Sequence, residues 1–198
     1  MQAYKLPFLL LIFFSTPNLM SQSLQAGVNA PSFERQAVMG QNVNLEDFQD
    51  QKVLLAFFRY AGCPVCNFRM HELMNEYEQL QERGIEIVAV FESSNETLQS
   101  YLKDTPVPFP VIADPELQLY EAYQVNKSLG KMMNTLFKKQ PKKDMKAGKV
   151  LFNGKSYKRD GAQTRIPADF IIEKGIILEA HYGKYVGDHL PMYRLHQY

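Results

Sequence analysis

Six consecutive apolar residues, Val53 to Phe58, run without a polar interruption into Arg59-Tyr60-Ala61-Gly62-Cys63-Pro64-Val65-Cys66. A run that is short and apolar at every position suits a central strand covered on both faces, because the pleat turns successive side chains to opposite sides. From Pro64 to Arg83 the period changes. Cys66, Met70, Leu73, Met74, Tyr77 and Leu80 recur at three- and four-residue steps, which predicts the buried face of a helix. Asn67, His71, Asn75, Glu78 and Glu82 fall away from that face. The only two cysteines in the chain therefore sit where a strand hands over to a helix. Cys63 takes the N-cap position, with Pro64 in the first turn that proline favours. Backbone N–H groups and the dipole at a helix start favour a thiolate over a thiol. The register predicts an exposed, attacking Cys63 and a sheltered, resolving Cys66.

Other chemistries fit this pair less well. A zinc site needs a second pair of ligands; no further cysteines exist, and His181 and His189 lack the usual His-x(3–5)-His spacing. No metal and no cofactor is expected. A structural disulfide across so short a loop gains little from loop entropy. Inert buried thiols remain open for the pair, though a helix-start position argues against them for Cys63. A redox dithiol is the favoured reading.

At 198 residues, 45% hydrophobic and 22% charged, the chain has the composition of one globular domain. Its net charge of +1 gives no reason to invoke nucleic acid. The first residues read as an address rather than as structure. Lys5 supplies a positive start, Leu6 to Phe14 an apolar stretch, Pro17 and Asn18 break it, and Ser21 offers a small residue before a cut. The expectation is a signal peptide over 1–21, a folded domain over 24–198, and export to the periplasm or beyond. The lesser alternative is an uncleaved interfacial anchor, since the apolar stretch is well short of the roughly 20 residues that span a bilayer. Outside the cytosol a lone cysteine pair tends toward the disulfide, so a reducing role there needs a thiol electron donor.

Along the rest of the chain, Ala30-Pro31-Ser32-Phe33 reads as an extended lead-in with Phe33 packed inward, and Asn44 as the cap of a short turn, Leu45 to Phe48. Gly84 ends the first helix and Ile85 to Phe91 forms a second strand. Ser93-Ser94-Asn95-Glu96 reads as a capping box opening a helix to Lys103. Pro106, Pro108 and Pro110 keep the chain extended before a short strand, Val111 to Ala113. Asp114 then caps a helix with Pro115 at its first position, running to about Gln124. Residues 126–165 are lysine-rich, and Leu129, Met132, Met133, Leu136 and Phe137 are spaced as one apolar helical face. This is read as a basic helical insertion. It is either a solvated surface excursion or, through lysines between 127 and 159, a docking patch for an acidic partner or an anionic membrane surface. Ile166 to Ile172 and Ile176 to Tyr182 pair around Glu173-Lys174-Gly175. His71 reads as solvated and His189 as a surface or capping residue.

Strand, Cys-x-x-Cys, helix, then β-α-β-α, then a proline before a hairpin and a last helix is the order of a thioredoxin fold. Ala30-Pro31-Ser32-Phe33, Phe58-Arg59 through Cys66, and Phe109-Pro110-Val111-Ile112-Ala113-Asp114-Pro115 also resemble the alkyl hydroperoxide reductase and thiol-specific antioxidant (AhpC/TSA) superfamily. Gly187-Asp188-His189 fits its Cys-x-x-Cys-bearing branch. The resemblance implies an α/β fold with a central mixed sheet flanked by helices. It places Pro167 at the thioredoxin cis-proline position, so that Pro167 and Ile166, with Gly62 and Pro64, would shape a substrate groove. In peroxiredoxins the peroxidatic cysteine matches Cys66, preceded by a hydroxyl residue three positions earlier and a proline seven earlier. Cys63 and Arg59 hold those positions, and Pro167 stands where a later-strand arginine would be. Arg59 becomes a candidate for tuning the thiol pKa.

Three functions follow as expectations. The first is an exported thiol–disulfide oxidoreductase acting on protein or small-molecule disulfides, with a thiol donor or acceptor as redox partner. The second is a thiol-dependent peroxide reductase with Cys66 as the peroxidatic thiol. The third is a non-catalytic binding module that docks through the lysine-rich segment.

Overall fold

The structure is a computed structural model that describes residues 23–151 and 159–198. The segment read as a signal peptide, and residues 152–158 of the lysine-rich stretch, lie outside the described residues. The order of elements is β1 (Glu34–Gln36), β2 (Asn42–Asn44), a 3-10 turn (Leu45–Phe48), β3 (Lys52–Phe57), α1 (Pro64–Glu82), β4 (Ile85–Phe91), α2 (Asn95–Leu102), β5 (Val111–Ala113), α3 (Gln118–Ala122), α4 (Leu129–Thr135), α5 (Gln140–Gly148), β6 (Ala168–Glu173), β7 (Ile176–Tyr182) and α6 (Met192–Leu195).

Five strands form one mixed sheet in the order β5-β4-β3-β6-β7. β3 is central, parallel to β4 and antiparallel to β6. Its unbroken apolarity has the expected cause. Leu54, Ala56 and Phe58 join one core layer with Met70, Leu73 and Leu80 of α1 and Leu98 and Leu102 of α2. Val53, Leu55 and Phe57 join a second layer with Leu119, Tyr120 and Tyr123 around α3, and with Phe33 and Val43 of the N-terminal segment. Met70, Leu73 and Leu80 are fully buried, each worth ~1.5–3 kcal/mol. Lys174 and Gly175 both have positive φ (49° and 74°), the backbone of a tight turn matched to hairpin twist. Among the described residues, no helix is long and apolar enough to cross a membrane.

Three local expectations need correcting. The cap of α2 is Ser94, which accepts from the Thr97 N–H at 3.2 Å, not Ser93 one residue earlier. Ser93 is held by the cysteine loop instead. Asp114 does cap α3, its carboxylate accepting from the N–H groups of Gln118, Leu119 and Tyr120. However, the helix starts at Gln118, because the chain first turns through Leu117 with φ 62°. The apolar stripe does not stay on one helix, since α4 ends at Thr135 before Leu136 and Phe137. Met132 packs on the core, whereas Leu129, Met133, Leu136 and Phe137 are exposed.

Candidate active site

The cysteine loop leaves the carboxyl end of β3, beside the carboxyl end of β4, where open α/β sheets form their crevices. The two ends are stitched together. The Phe58 N–H donates to the Val90 carbonyl (2.8 Å) and the Glu92 N–H to the Arg59 carbonyl (2.9 Å). The Ala61 N–H donates to Ser93 Oγ (2.9 Å), and that hydroxyl donates to Asp160 (2.7 Å). Cys63 is the N-cap of α1, with extended backbone, and Pro64 opens the first turn.

Arg59 Nη1 donates to Cys63 Sγ at 3.6 Å, while its Nη2 is anchored on the Gln163 carbonyl and its guanidinium lies 5.2 Å from the Tyr60 ring centre. The Cys63 thiol is pushed down to about 6. A hydrogen bond from the Cys66 thiol lowers it most; the Arg59 charge and the N–H groups of Cys66 and Val65 add to this, against burial. Cys66 moves the other way. Burial, then its hydrogen bond and repulsion with the Cys63 sulfur, push its pKa well above that of an ordinary thiol. The two thiols are thus pushed apart, Cys63 toward the thiolate and Cys66 toward the thiol.

The expected exposure of Cys63 is not what the structure shows: Cys63 is 1% exposed and Cys66 3%. Helix α5 of the lysine-rich stretch packs along α1 next to the pair. Gly148 at its end sits so close that a Cβ there would lie 1.8 Å from the Pro64 carbonyl oxygen. Asn67, expected on the outer face of α1, is buried beneath the same contact, with its amide 2.7 Å from the Tyr101 hydroxyl. The four residues expected to shape a groove do not line one cavity among the described residues. Ile166 and Pro167 line a cavity of about 300 Å³ with Gln124, Lys131, Tyr182 and Gly183. Gly62 and Pro64 are half-buried beside the sulfurs. Every peptide bond among the described residues is trans, that before Pro167 included.

Several residues of the site escaped the sequence reading. Glu92 and Arg165, both 4% exposed, form a buried ion pair directly behind the loop. Arg165 also donates to the Val125 carbonyl and lies over the Tyr120 ring (4.8 Å), while Glu92 accepts from the Ala162 N–H. Glu92 and Ser93 were detectable as polar residues closing an apolar strand; Arg165, 73 positions away, was not. His189 is not a surface residue. It is 7% exposed, packed 4.9 Å from Phe58, and its Nδ1 lies 2.9 Å from Asp169 Oδ1. Burial alone would raise the Asp169 carboxyl, but His189, Arg69 and the Leu190 N–H outweigh it and hold the carboxyl below the usual range. Gly187, with φ 87°, lets this turn close on Val65, where a Cβ would come within 2.4 Å. A cavity of about 350 Å³ opens there, lined by Val65, Arg69, Asp144 and His189 among others.

A five-stranded mixed sheet with a Cys-x-x-Cys at the start of its first long helix is a thioredoxin-like fold. The reduced 2-Cys peroxiredoxin of Plasmodium vivax superposes on it with a TM-score of 0.60 at 17% identity, over 87% of this chain and 78% of that one. The AhpC/TSA family pattern matches residues 26–180, and the chain belongs to that family. In sequence it is similar to the thiol-disulfide oxidoreductase ResA of Bacillus subtilis, 30% identical over 53% of this chain and 59% of that protein. It is also similar to peroxiredoxin Bcp of Escherichia coli, 29% identical over 52% of this chain and 65% of that protein. The matched stretch thus spans less than two thirds of either relative.

Proposed function

We propose that this chain is an exported thiol–disulfide oxidoreductase using Cys63 and Cys66. The observation that carries the reading is the geometry of the pair, with Cys63 at the N-cap of α1 and the Cys66 thiol and Arg59 (3.6 Å) on its sulfur, which lower the Cys63 pKa while burial raises that of Cys66. Cys63 attacks one sulfur of a substrate disulfide. A Cys63–substrate bond forms, the substrate S–S bond breaks, and the departing thiolate takes a proton from water. Cys66 then gives up its proton and attacks Cys63 Sγ. The Cys63–Cys66 bond forms, the mixed disulfide breaks, and the second substrate sulfur leaves as a thiol. Two electrons have passed to the substrate, and a thiol donor restores the dithiol; run backward, the same steps oxidise a substrate dithiol. With both sulfurs buried, attack requires a local opening over Cys63, which Ile166 and Pro167 would border. Lys5 and the apolar Leu6–Phe14 stretch support export.

A second reading rests on the family itself and on the relative named peroxiredoxin Bcp: peroxide reduction at Cys66 through a sulfenic acid. A Cys66 held protonated, with no hydroxyl at position 63, counts against it. One pair of variants separates the readings. Incubated with a disulfide substrate, Cys66→Ser should accumulate the mixed disulfide, detected by non-reducing electrophoresis and mass spectrometry, and Cys63→Ser should not. Trapping by Cys63→Ser instead, with rapid consumption of hydrogen peroxide by Cys66, would make Cys66 the attacking thiol and reject the proposed order.

A further inference from the structure

We infer that the α4–α5 pair is an interfacial surface for an anionic lipid bilayer. The inference is independent of the redox reading and rests on what the two helices leave exposed. Nine large apolar side chains are exposed among the described residues, and six of them, Leu129, Met133, Leu136, Phe137, Met145 and Val150, fall within this one stretch. Phe137, in the link between the helices, is 83% exposed, the most of any.

The charges around it have one sign. Residues 127–149 contain eight lysines and a single acid, Asp144. That acid is buried, accepts a hydrogen bond from Gln140 (2.8 Å), and has its pKa raised by burial. Lys138, Lys139, Lys142, Lys143, Lys146 and Lys149 are all exposed and follow the apolar tip directly, through the link and along α5. Protruding apolar side chains flanked by lysines are what an interfacial helix needs. The apolar groups enter the acyl boundary while the ammonium groups stay at the level of anionic headgroups. An acidic protein partner would satisfy the charges but leave the six exposed apolar side chains without an apolar phase to enter. Because α5 also packs on α1, docking would bring the dithiol end of the molecule close to the lipid.

The chain has no tryptophan, so Phe137→Trp installs a single reporter at the tip itself rather than on the apolar Leu6–Phe14 stretch. The full chain carrying it is titrated with vesicles of phosphatidylglycerol and phosphatidylcholine, with pure phosphatidylcholine vesicles, and with polyglutamate. The expected result is a blue-shifted emission, quenched by brominated acyl chains, with the mixed vesicles alone, and weakened by salt. Adding Lys138→Glu, Lys139→Glu, Lys142→Glu and Lys143→Glu should lower the vesicle affinity by on the order of a hundred-fold or more. No emission change with the mixed vesicles, an equal change with pure phosphatidylcholine, a change with polyglutamate only, or undiminished binding by the four-lysine variant would each overturn the inference.

Discussion

Replacing Arg165 with methionine is expected to lower the free energy of unfolding by ~3–5 kcal/mol, because it leaves the Glu92 carboxylate buried without its counter-charge. Both side chains are 4% exposed, so water cannot take the place of the lost partner. The cost is more than electrostatic, since Arg165 also donates to the Val125 carbonyl and packs on the Tyr120 ring, whose hydroxyl bonds the carbonyls of Phe58 and Val90. For a chain of this size each kcal/mol shifts Tm by ~2–4 °C. Urea denaturation at neutral pH measures the loss. Adding Glu92→Gln to Arg165→Met should recover part of it, because no unpaired charge then remains. A loss below ~1 kcal/mol, the range of an exposed pair, would contradict the buried geometry.

Arg59→Leu should change how the reactivity of Cys63 depends on pH, in a way that mere loosening of the loop cannot reproduce. An opposite charge this close typically lowers a pKa by ~1–3 units, so its removal moves the Cys63 midpoint up from about 6. Two effects then oppose each other. The thiolate fraction near pH 6 falls by more than tenfold for a shift of ~2 units, while the more basic thiolate becomes intrinsically more nucleophilic, with a Brønsted slope of ~0.4–0.5. The exchange rate with a small disulfide should therefore drop ~5–10-fold near pH 6 and exceed the parent's rate in alkaline solution. Parallel profiles across the whole pH range would mean that Arg59 does not tune the thiol.

The reduced protein carries a matching stability term. Cys63 has its pKa depressed on folding, so its contribution is fully present above the ordinary thiol range and is lost as pH falls through about 6.

Where periodicity and local chemistry decide the outcome, the residues already spelled it. The strand Ile85–Phe91 and the strand Ile176–Tyr182 have the bounds their patterns predict, and α1 stops one residue short of its prediction. The Asn44 cap is as read, accepting from the Glu46 N–H. The N-terminal hairpin β1–β2 gave no signal, because its six residues, Glu-Arg-Gln and Asn-Val-Asn, are almost all polar and are ordered by Phe33 and Val43 reaching the core. The site was legible only in its covalent part. The order Arg59, Cys63, Pro64, Cys66 fixes a helix-capping thiol with an arginine one turn away. What lies over and behind that thiol arrives from far along the chain: Gly148 on Pro64, Arg165 on Glu92, His189 on Asp169. Helical periodicity cannot reveal that a later helix will cover Asn67 and Pro64, since the outer face of α1 looks as polar as any solvated face.

The division of labour between the two sulfurs is open to one direct reading, the thiolate absorbance of the fully reduced protein followed as a function of pH. One thiolate should appear with a midpoint near 6, vanish from the record in Cys63→Ser, and be followed by the second only at strongly alkaline pH. Two thiols titrating together in the ordinary range of about 8–9, or the early thiolate surviving in Cys63→Ser, would contradict the account.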